Sequence, residues 1–257
     1  MAKSKEIELD DGKIIIPVLY EDRSVLALDK PAGWMLAPDS WDRTGRNLQL
    51  ALQSSLNAGD FWAHSRNLRY LRFIHRLDAE TTGITLFAKS PGALRAFSEL
   101  FETRRVEKTY LAVVRGIPKQ GQWTCALSLV PDPGMKGRMK VVRNETRNAQ
   151  HSQKDAETHF TVLQTSPANS TALVEARPTT GRTHQIRVHL AAAGLPVVGD
   201  ALYGTDSAAS SKGRQRLALR AVKLGFRDPF QKKFVRIEAP LGEFLHEFGY
   251  AQKVTPQ

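Results

Sequence analysis

The chain is predicted to be an α+β protein built on a mixed, mainly antiparallel sheet flanked by helices and loops. Three observations predict it. Segments rich in β-branched and aromatic residues with period-two patterning outnumber segments with helical spacing. They do not alternate regularly with helices, as a parallel doubly wound sheet would require. Finally, 41% hydrophobic and 25% charged residues make an ordinary globular composition, and 257 residues suffice for a sizeable core. A single domain over 1–257 is expected, with any sub-boundary in the basic segment 135–154.

The elements follow in order. "KIIIPVLYEDRSVLALDK", residues 13–30, predicts two short strands around a polar turn, and "KPAG" then breaks extended pairing. Leucines at 48, 52 and 56 give "RNLQLALQSSLNAG" a helical spacing closed by Gly59. "FIHRLD" and "GITLFAK" read as strands on either side of a loop, and "SPGALRAFSELFETRRV" reads as a short amphipathic helix with Pro91 near its start. "KTYLAVVRG" predicts a strand ending in glycine, and "AETHFTVLQT" with "STALVEARPTT" an antiparallel pair. "RTHQIRVHLAAAGL" predicts a helix closed by Gly194, with the strands "LALRAVKLGF" and "KFVRIEAP" near the end. Two charged segments, "MKGRMKVVRNETRNAQHSQK" and "GTDSAASSKGRQR", read as loops, the first as a basic hairpin or solvated insertion.

Charge points to a partner. Lys and Arg number 37 against 26 acidic residues, a formal charge of +11, and a polyanion such as nucleic acid relieves that excess. No apolar run approaches the ~18–20 residues of a membrane span. The charged N-terminus lacks a secretory apolar centre, and Cys125 is the only cysteine, which excludes an internal disulfide or a thiolate cage. A cytoplasmic location is expected.

Two segments gather the side chains of a site. Asp78 follows His75 and Arg76 and precedes Thr81, Thr82 and Gly83, so it sits in a loop between strands. From that segment alone, an aspartate capping a turn is the better explanation, and the second segment shifts the balance. The second segment, "TTGRTHQIRVHLAAAG", groups Arg182, His184, Gln185, Arg187 and His189. On a helix beside small residues, Arg187 can point inward, where a guanidinium needs a carboxylate; an arginine-paired aspartate stays ionised. With arginines interleaved among these histidines and no thiolate available, no metal site is expected, and no cofactor is called for.

In order along the chain, "EDRSVLALDKPAGWMLAP", "HRLDAETTGITLFAKS", "EKTYLAVVRG" and "GRTHQIRVHLAAAGLPVVGDALYG" resemble the successive motifs of the RluA-type RNA pseudouridine synthases, from about Ile15 to Pro240. The resemblance implies a pseudouridine-synthase fold with a central active-site cleft, acting on ribosomal or transfer RNA without a cofactor. It implies that Asp78 is the essential carboxylate and that Arg187 pairs with it. Tyr110 would stack on the target base and abstract a proton, and Arg76 would fill the gap left by the extruded base. His75, Thr82, Arg182 and His184 would bind RNA or shape the pocket, and Lys136, Arg138 and Lys140 would contact phosphates.

Two departures from the family pattern stand out. Many members carry an RNA-binding domain ahead of the catalytic part; here little precedes the first predicted strand, so RNA selection is expected from the catalytic domain of a monomer. Arg220 stands in "LALRA" where the family often has histidine, which puts local packing or RNA contacts in question. An RNA chaperone on the same scaffold, or a hydrolase that uses Asp78 on a nucleoside or sugar, are the alternatives; the presence of Asp78, Tyr110 and Arg187 together favours the isomerase over the chaperone, and free uracil would mark the hydrolase.

Overall fold

The structure, a computed structural model, describes residues 4–9, 12–36, 46–142, 153–204 and 215–251. Residues 143–152 of the basic segment and 205–214 of the second charged loop lie outside that set. In chain order the strands are β1 (Glu6–Leu9), β2 (Ile14–Glu21), β3 (Val25–Lys30), β4 (Arg72–Phe73), β5 (Thr82–Ala88), β6 (Val106–Arg115) and β7 (Gln122–Cys125). They continue as β8 (Leu129–Pro131), β9 (Met139–Val141), β10 (Thr158–Ser166), β11 (Thr171–Pro178), β12 (Leu219–Arg227) and β13 (Phe234–Glu238). The helices are α1 (Leu48–Ala58), α2 (Phe61–His64), α3 (Pro91–Glu102), α4 (Gln185–Ala192) and α5 (Gly242–Glu247).

The chain divides into two compact units, residues 1–107 with 221–239, and 108–220 with 240–257. The division falls within β6 and β12 and just after β13, not in the basic segment 135–154.

In the first unit the strand order is β1-β2-β3-β5-β12, with β4 also on β5 and β13 also on β12. Alternation along β3 explains its burial on both sides. Val25 and Ala27 pack with Ile84, Leu86 and the α3 residues Ala93, Phe97 and Leu100, while Leu26 and Leu28 pack with Phe87, Trp62 and the α1 residues Leu48 and Leu52. Both long helices begin as their sequences require. Asn47 Oδ1 accepts the Leu50 N–H at 3.1 Å, and Ser90 Oγ accepts that of Ala93 at 3.1 Å, with Pro91 in the first turn. Gly59 closes α1 in the left-handed region at φ 77°.

"FIHRLD" is not a full strand. β4 stops at Phe73, and although the Ile74 N–H still reaches Leu86 O, the Leu86 N–H donates to His75 Nε2 at 3.2 Å. A side chain has taken the place of a backbone carbonyl, so the ladder ends and residues 75–81 are left to form a loop. β1, α2, β7 and α5 are short elements absent from the sequence-based expectation.

Gly83, at φ 105°, shows why the loop is followed by glycine: an added Cβ would lie 2.1 Å from Ala221 O. Gly83→Ala is expected to cost about 2–3 kcal/mol through overpacking and a disallowed φ, measurable by urea unfolding.

The second unit holds the order β6-β11-β10-β7 and a separate β8–β9 hairpin. β10 and β11 pair antiparallel as expected, from Thr158↔Pro178 to Ser166↔Thr171. Leu129, Ala156, Val188 and Tyr203 form a small core with Met139, Val141, Ala191 and Leu202 against it. The first part of the basic segment is therefore a hairpin packed on α4. Arg220 is buried, and its Nε donates to Pro240 O at 3.1 Å, which assigns the departure at this position to packing.

Candidate functional site

In the first unit, Asp78 is half-buried in the loop after β4, and Arg76 beside it is exposed. The loop is fastened to the "KPAG" turn. Ala79 O accepts the Gly33 N–H at 2.9 Å and Lys30 Nζ at 2.7 Å, and Lys30 also donates to Pro31 O at 2.9 Å. The Thr81 N–H closes back on Asp78 O at 3.2 Å. Lys30 is fully buried. Burial pushes its pKa down to about 7, against the opposing pull of the Asp78 and Glu80 carboxylates. Thus two separate sequence motifs meet here, and a buried amine with a carboxylate in its field ties them together. His75 is stacked on Phe101, with ring centroids 4.6 Å apart, and accepts from Leu86, while Thr82 is buried at the head of β5.

In the second unit, α4 carries the arginine. Arg187 is buried, and its Nε and Nη2 donate to Asp200 Oδ2 and Oδ1 at 2.8 and 2.7 Å. Burial raises the Asp200 pKa, but the Arg187 guanidinium and the Leu202 and Tyr203 N–H groups outweigh it and hold the carboxyl below its ordinary value. Gly199, at φ 76°, lets this turn form: a Cβ there would lie 2.1 Å from Arg216 O. Asp200 was not singled out from the sequence, although an acidic residue following "LPVVG" inside an apolar run was a signal for it.

The start of α4 is held by Gln185, whose amide is fully used. Its Oε1 accepts Thr180 Oγ1 at 2.7 Å and the Arg182 N–H at 3.0 Å, and its Nε2 donates to Glu157 O at 2.9 Å and Thr158 Oγ1 at 3.0 Å. His184, with a left-handed φ of 56°, precedes the helix and hydrogen-bonds Tyr203 Oη through Nδ1 at 2.8 Å. Arg182 is half-exposed, with Nε donating to Asp155 O at 3.0 Å. Tyr110 is half-buried in β6, opposite Ala176 of β11. Lys136 and Lys140 are exposed, whereas Arg138 is half-buried, 3.7 Å from Asp132.

His189 is a core histidine. It is fully buried, with Nε2 on Leu127 O at 2.9 Å and Nδ1 on Thr158 Oγ1 at 3.0 Å. Burial lowers its pKa below 6.5, against the opposing effect of the Leu127 carbonyl. The unfolded chain therefore takes up this proton first, so the contribution of His189 to stability is complete above pH 6.5 and declines as pH falls below it. His189→Gln keeps a donor and an acceptor but does not titrate; its melting temperature is expected to fall less steeply below that pH than the wild type's. No cluster of three metal-binding side chains occurs, and no helix is long and apolar enough to cross a membrane, among the described residues.

The model of the RNA pseudouridylate synthase family matches residues 24–192, which run through both units. The chain belongs to this family: it is an RNA-modifying isomerase that turns uridine into pseudouridine. Among its relatives is the ribosomal large subunit pseudouridine synthase C of Escherichia coli K12, 36% identical over 233 residues, covering 89% of this chain and 67% of the relative. The Vibrio vulnificus protein of the same name is 33% identical over 233 residues, covering 90% and 67%. The chain thus spans about two thirds of the length of these relatives. Among solved structures, human RNA pseudouridylate synthase domain containing 4 superposes with a TM-score of 0.70 at 25% identity, over 90% of this chain and 92% of that one. Human RNA pseudouridylate synthase domain containing 1 gives 0.67 at 27% identity, over 88% and 83%.

Proposed function

We propose that this isomerase acts on uridines of large-subunit ribosomal RNA in the cytoplasm, with Asp78 as its essential carboxylate. The ribosomal assignment rests on the relatives named above, which match about nine tenths of the chain. The observation that carries the role of Asp78 is the pinning of its loop by Lys30 through Ala79 O, which holds a half-buried carboxylate in the loop between β4 and β5. A fixed loop supports chemistry that depends on placement.

The reaction breaks the bond between uracil N1 and ribose C1′, turns the base over, and joins C5 to C1′, after which the C5 proton leaves and the freed N1 takes up a proton, so the product is an isomer. No electrons are gained or lost. Asp78 assists by adding to C1′, by removing the 2′ proton, or by adding to C6. Tyr110 is the group proposed to stack on the base and take the C5 proton. Arg187, with its Nε and Nη2 held by Asp200 within the second unit, is proposed as a further member of the catalytic set. The exposed Arg76 takes the space of the extruded base, which offsets part of the few kcal/mol that unstacking costs. Lys136 and Lys140 meet phosphate, and Arg182 and His184 line the RNA path. His75 and Thr82, packed inside the first unit, are read as supports of the Asp78 loop rather than RNA contacts.

The substrate is tested by incubating the protein with large-subunit ribosomal RNA and, separately, with transfer RNA, then mapping pseudouridine. Modification of discrete ribosomal positions is expected. Modification confined to transfer RNA would overturn the ribosomal assignment while leaving the chemistry intact.

A further inference from the structure

The β8–β9 hairpin, which carries Lys136, Arg138 and Lys140 at its turn and second strand, is seated on α4. Its Leu129, Met139 and Val141 pack with Val188, Ala191 and Tyr203. Tyr203 bonds to both sides of that seam. Its hydroxyl accepts the Met139 N–H at 2.9 Å and hydrogen-bonds His184 Nδ1 at 2.8 Å. Two guanidiniums lie over its ring, Arg138 at 5.5 Å from the centroid and Arg187 at 5.2 Å, both within cation–π reach. Its own N–H donates to Asp200 Oδ1 at 3.1 Å, the carboxylate that fixes Arg187.

This arrangement has a mechanical consequence. His184 is a non-glycine residue in the left-handed region immediately before α4, a conformation that persists only when its surroundings hold it. The Tyr203 hydroxyl is one of those holds, and the same oxygen receives the first amide of β9. Arg138, for its part, is directed toward the ring and Asp132, unlike the exposed Lys136 and Lys140. The three basic residues therefore divide into two that face solvent and one that links the hairpin to the ring.

We propose that Tyr203 is a positioning residue that couples the basic hairpin to Arg187. RNA phosphates bound at Lys136 and Lys140 steady the hairpin, and the Tyr203 hydroxyl and ring pass that order to His184 and Arg187 at the start of α4. RNA held by the hairpin then favours the arrangement that Arg187 needs, so the hairpin contributes to turnover as well as to affinity. This rests on the reading of the hairpin as an RNA contact, and the test separates the two.

The experiment is a double-mutant cycle in the full chain between Tyr203→Phe and Lys136→Ala/Lys140→Ala. It reads kcat, KM and the salt dependence of binding on a ribosomal RNA fragment containing a mapped site. Tyr203→Phe keeps the ring and removes the oxygen. It is expected to lower kcat and raise KM, with an effect at least about threefold smaller in the lysine-free background. Exchange of the Met139 amide is expected to speed up in the folded Tyr203→Phe protein. Independent effects of the two changes, an unchanged Met139 exchange rate, or a variant that melts earlier yet turns over normally while folded would each overturn the coupling. Should Lys136→Ala/Lys140→Ala leave KM and the salt slope unaltered, the hairpin is not an RNA contact, and the underlying reading fails first.

Discussion

Asp78→Asn is expected to reduce pseudouridine formation by at least about 10⁴-fold, the loss typical of removing a reacting group from a site whose parts act together. The substitution keeps the size and shape of the side chain while removing its charge and basicity. The loop's hydrogen bonds, Ala79 O with Lys30 Nζ and the Gly33 N–H and Asp78 O with the Thr81 N–H, use no Asp78 side-chain atom; the change removes only the pull of that carboxylate on Lys30, with the Glu80 carboxylate still acting on the same amine. Folding and RNA affinity are therefore expected to remain near the wild-type level. Single-turnover assays with saturating enzyme, beside filter binding of the same RNA, separate the two effects. A variant that neither binds nor turns over would make Asp78 a binding residue, contrary to its proposed role.

The second large effect is expected at the Arg187–Asp200 pair. Its side chains are 7% and 0% exposed, so each charge depends on the other for its desolvated state. Asp200→Ala takes the two-point acceptor from a buried guanidinium and removes the acceptor of the Leu202 and Tyr203 N–H groups; a loss of about 3–5 kcal/mol in urea unfolding is expected. Because the folded pKa of Asp200 is depressed, its contribution is present above 3.8 and is lost as pH falls through the folded value. Arg187→Met with Asp200→Leu removes both charges and is expected to recover much of that stability, since apolar replacements of a buried pair are often neutral. If Arg187 serves the chemistry, the doubly substituted protein is stable and inactive. Normal turnover in it would remove Arg187 from the mechanism.

Much of this fold was legible because periodicity and punctuation agreed. α1 and α3 lie where the leucine spacing closed by Gly59 and the amphipathic pattern after Pro91 put them, and the structure adds the Asn47 and Ser90 caps. β10 and β11 follow their alternation. β4 was overestimated because the apolar run of "FIHRLD" carries no sign that the His75 ring would replace a backbone acceptor for Leu86. The shortest elements, β1, α2, β7 and α5, have too few residues to display a period.

The site was legible unevenly. Motif order named Asp78, Tyr110 and Arg187, yet Lys30 and Asp200, the partners that fix the Asp78 loop and Arg187, were passed over. Lys30 shares the period-two face of Leu26 and Leu28, which together placed a cation on a buried strand face. Asp200 lies 13 residues from Arg187 in sequence, and only the turn at Gly199 brings carboxylate and guanidinium together. Nor did composition distinguish Arg138, directed toward the Tyr203 ring, from its exposed neighbours Lys136 and Lys140.

The most direct test of an isomerase dependent on one carboxylate is tritium release from ribosomal RNA labelled at uridine C5, with the products separated afterwards. The wild type is expected to release tritium into water with every uracil ring retained in the RNA chain, and Asp78→Asn to release none. Equal release by both proteins, or the appearance of free uracil, would contradict it.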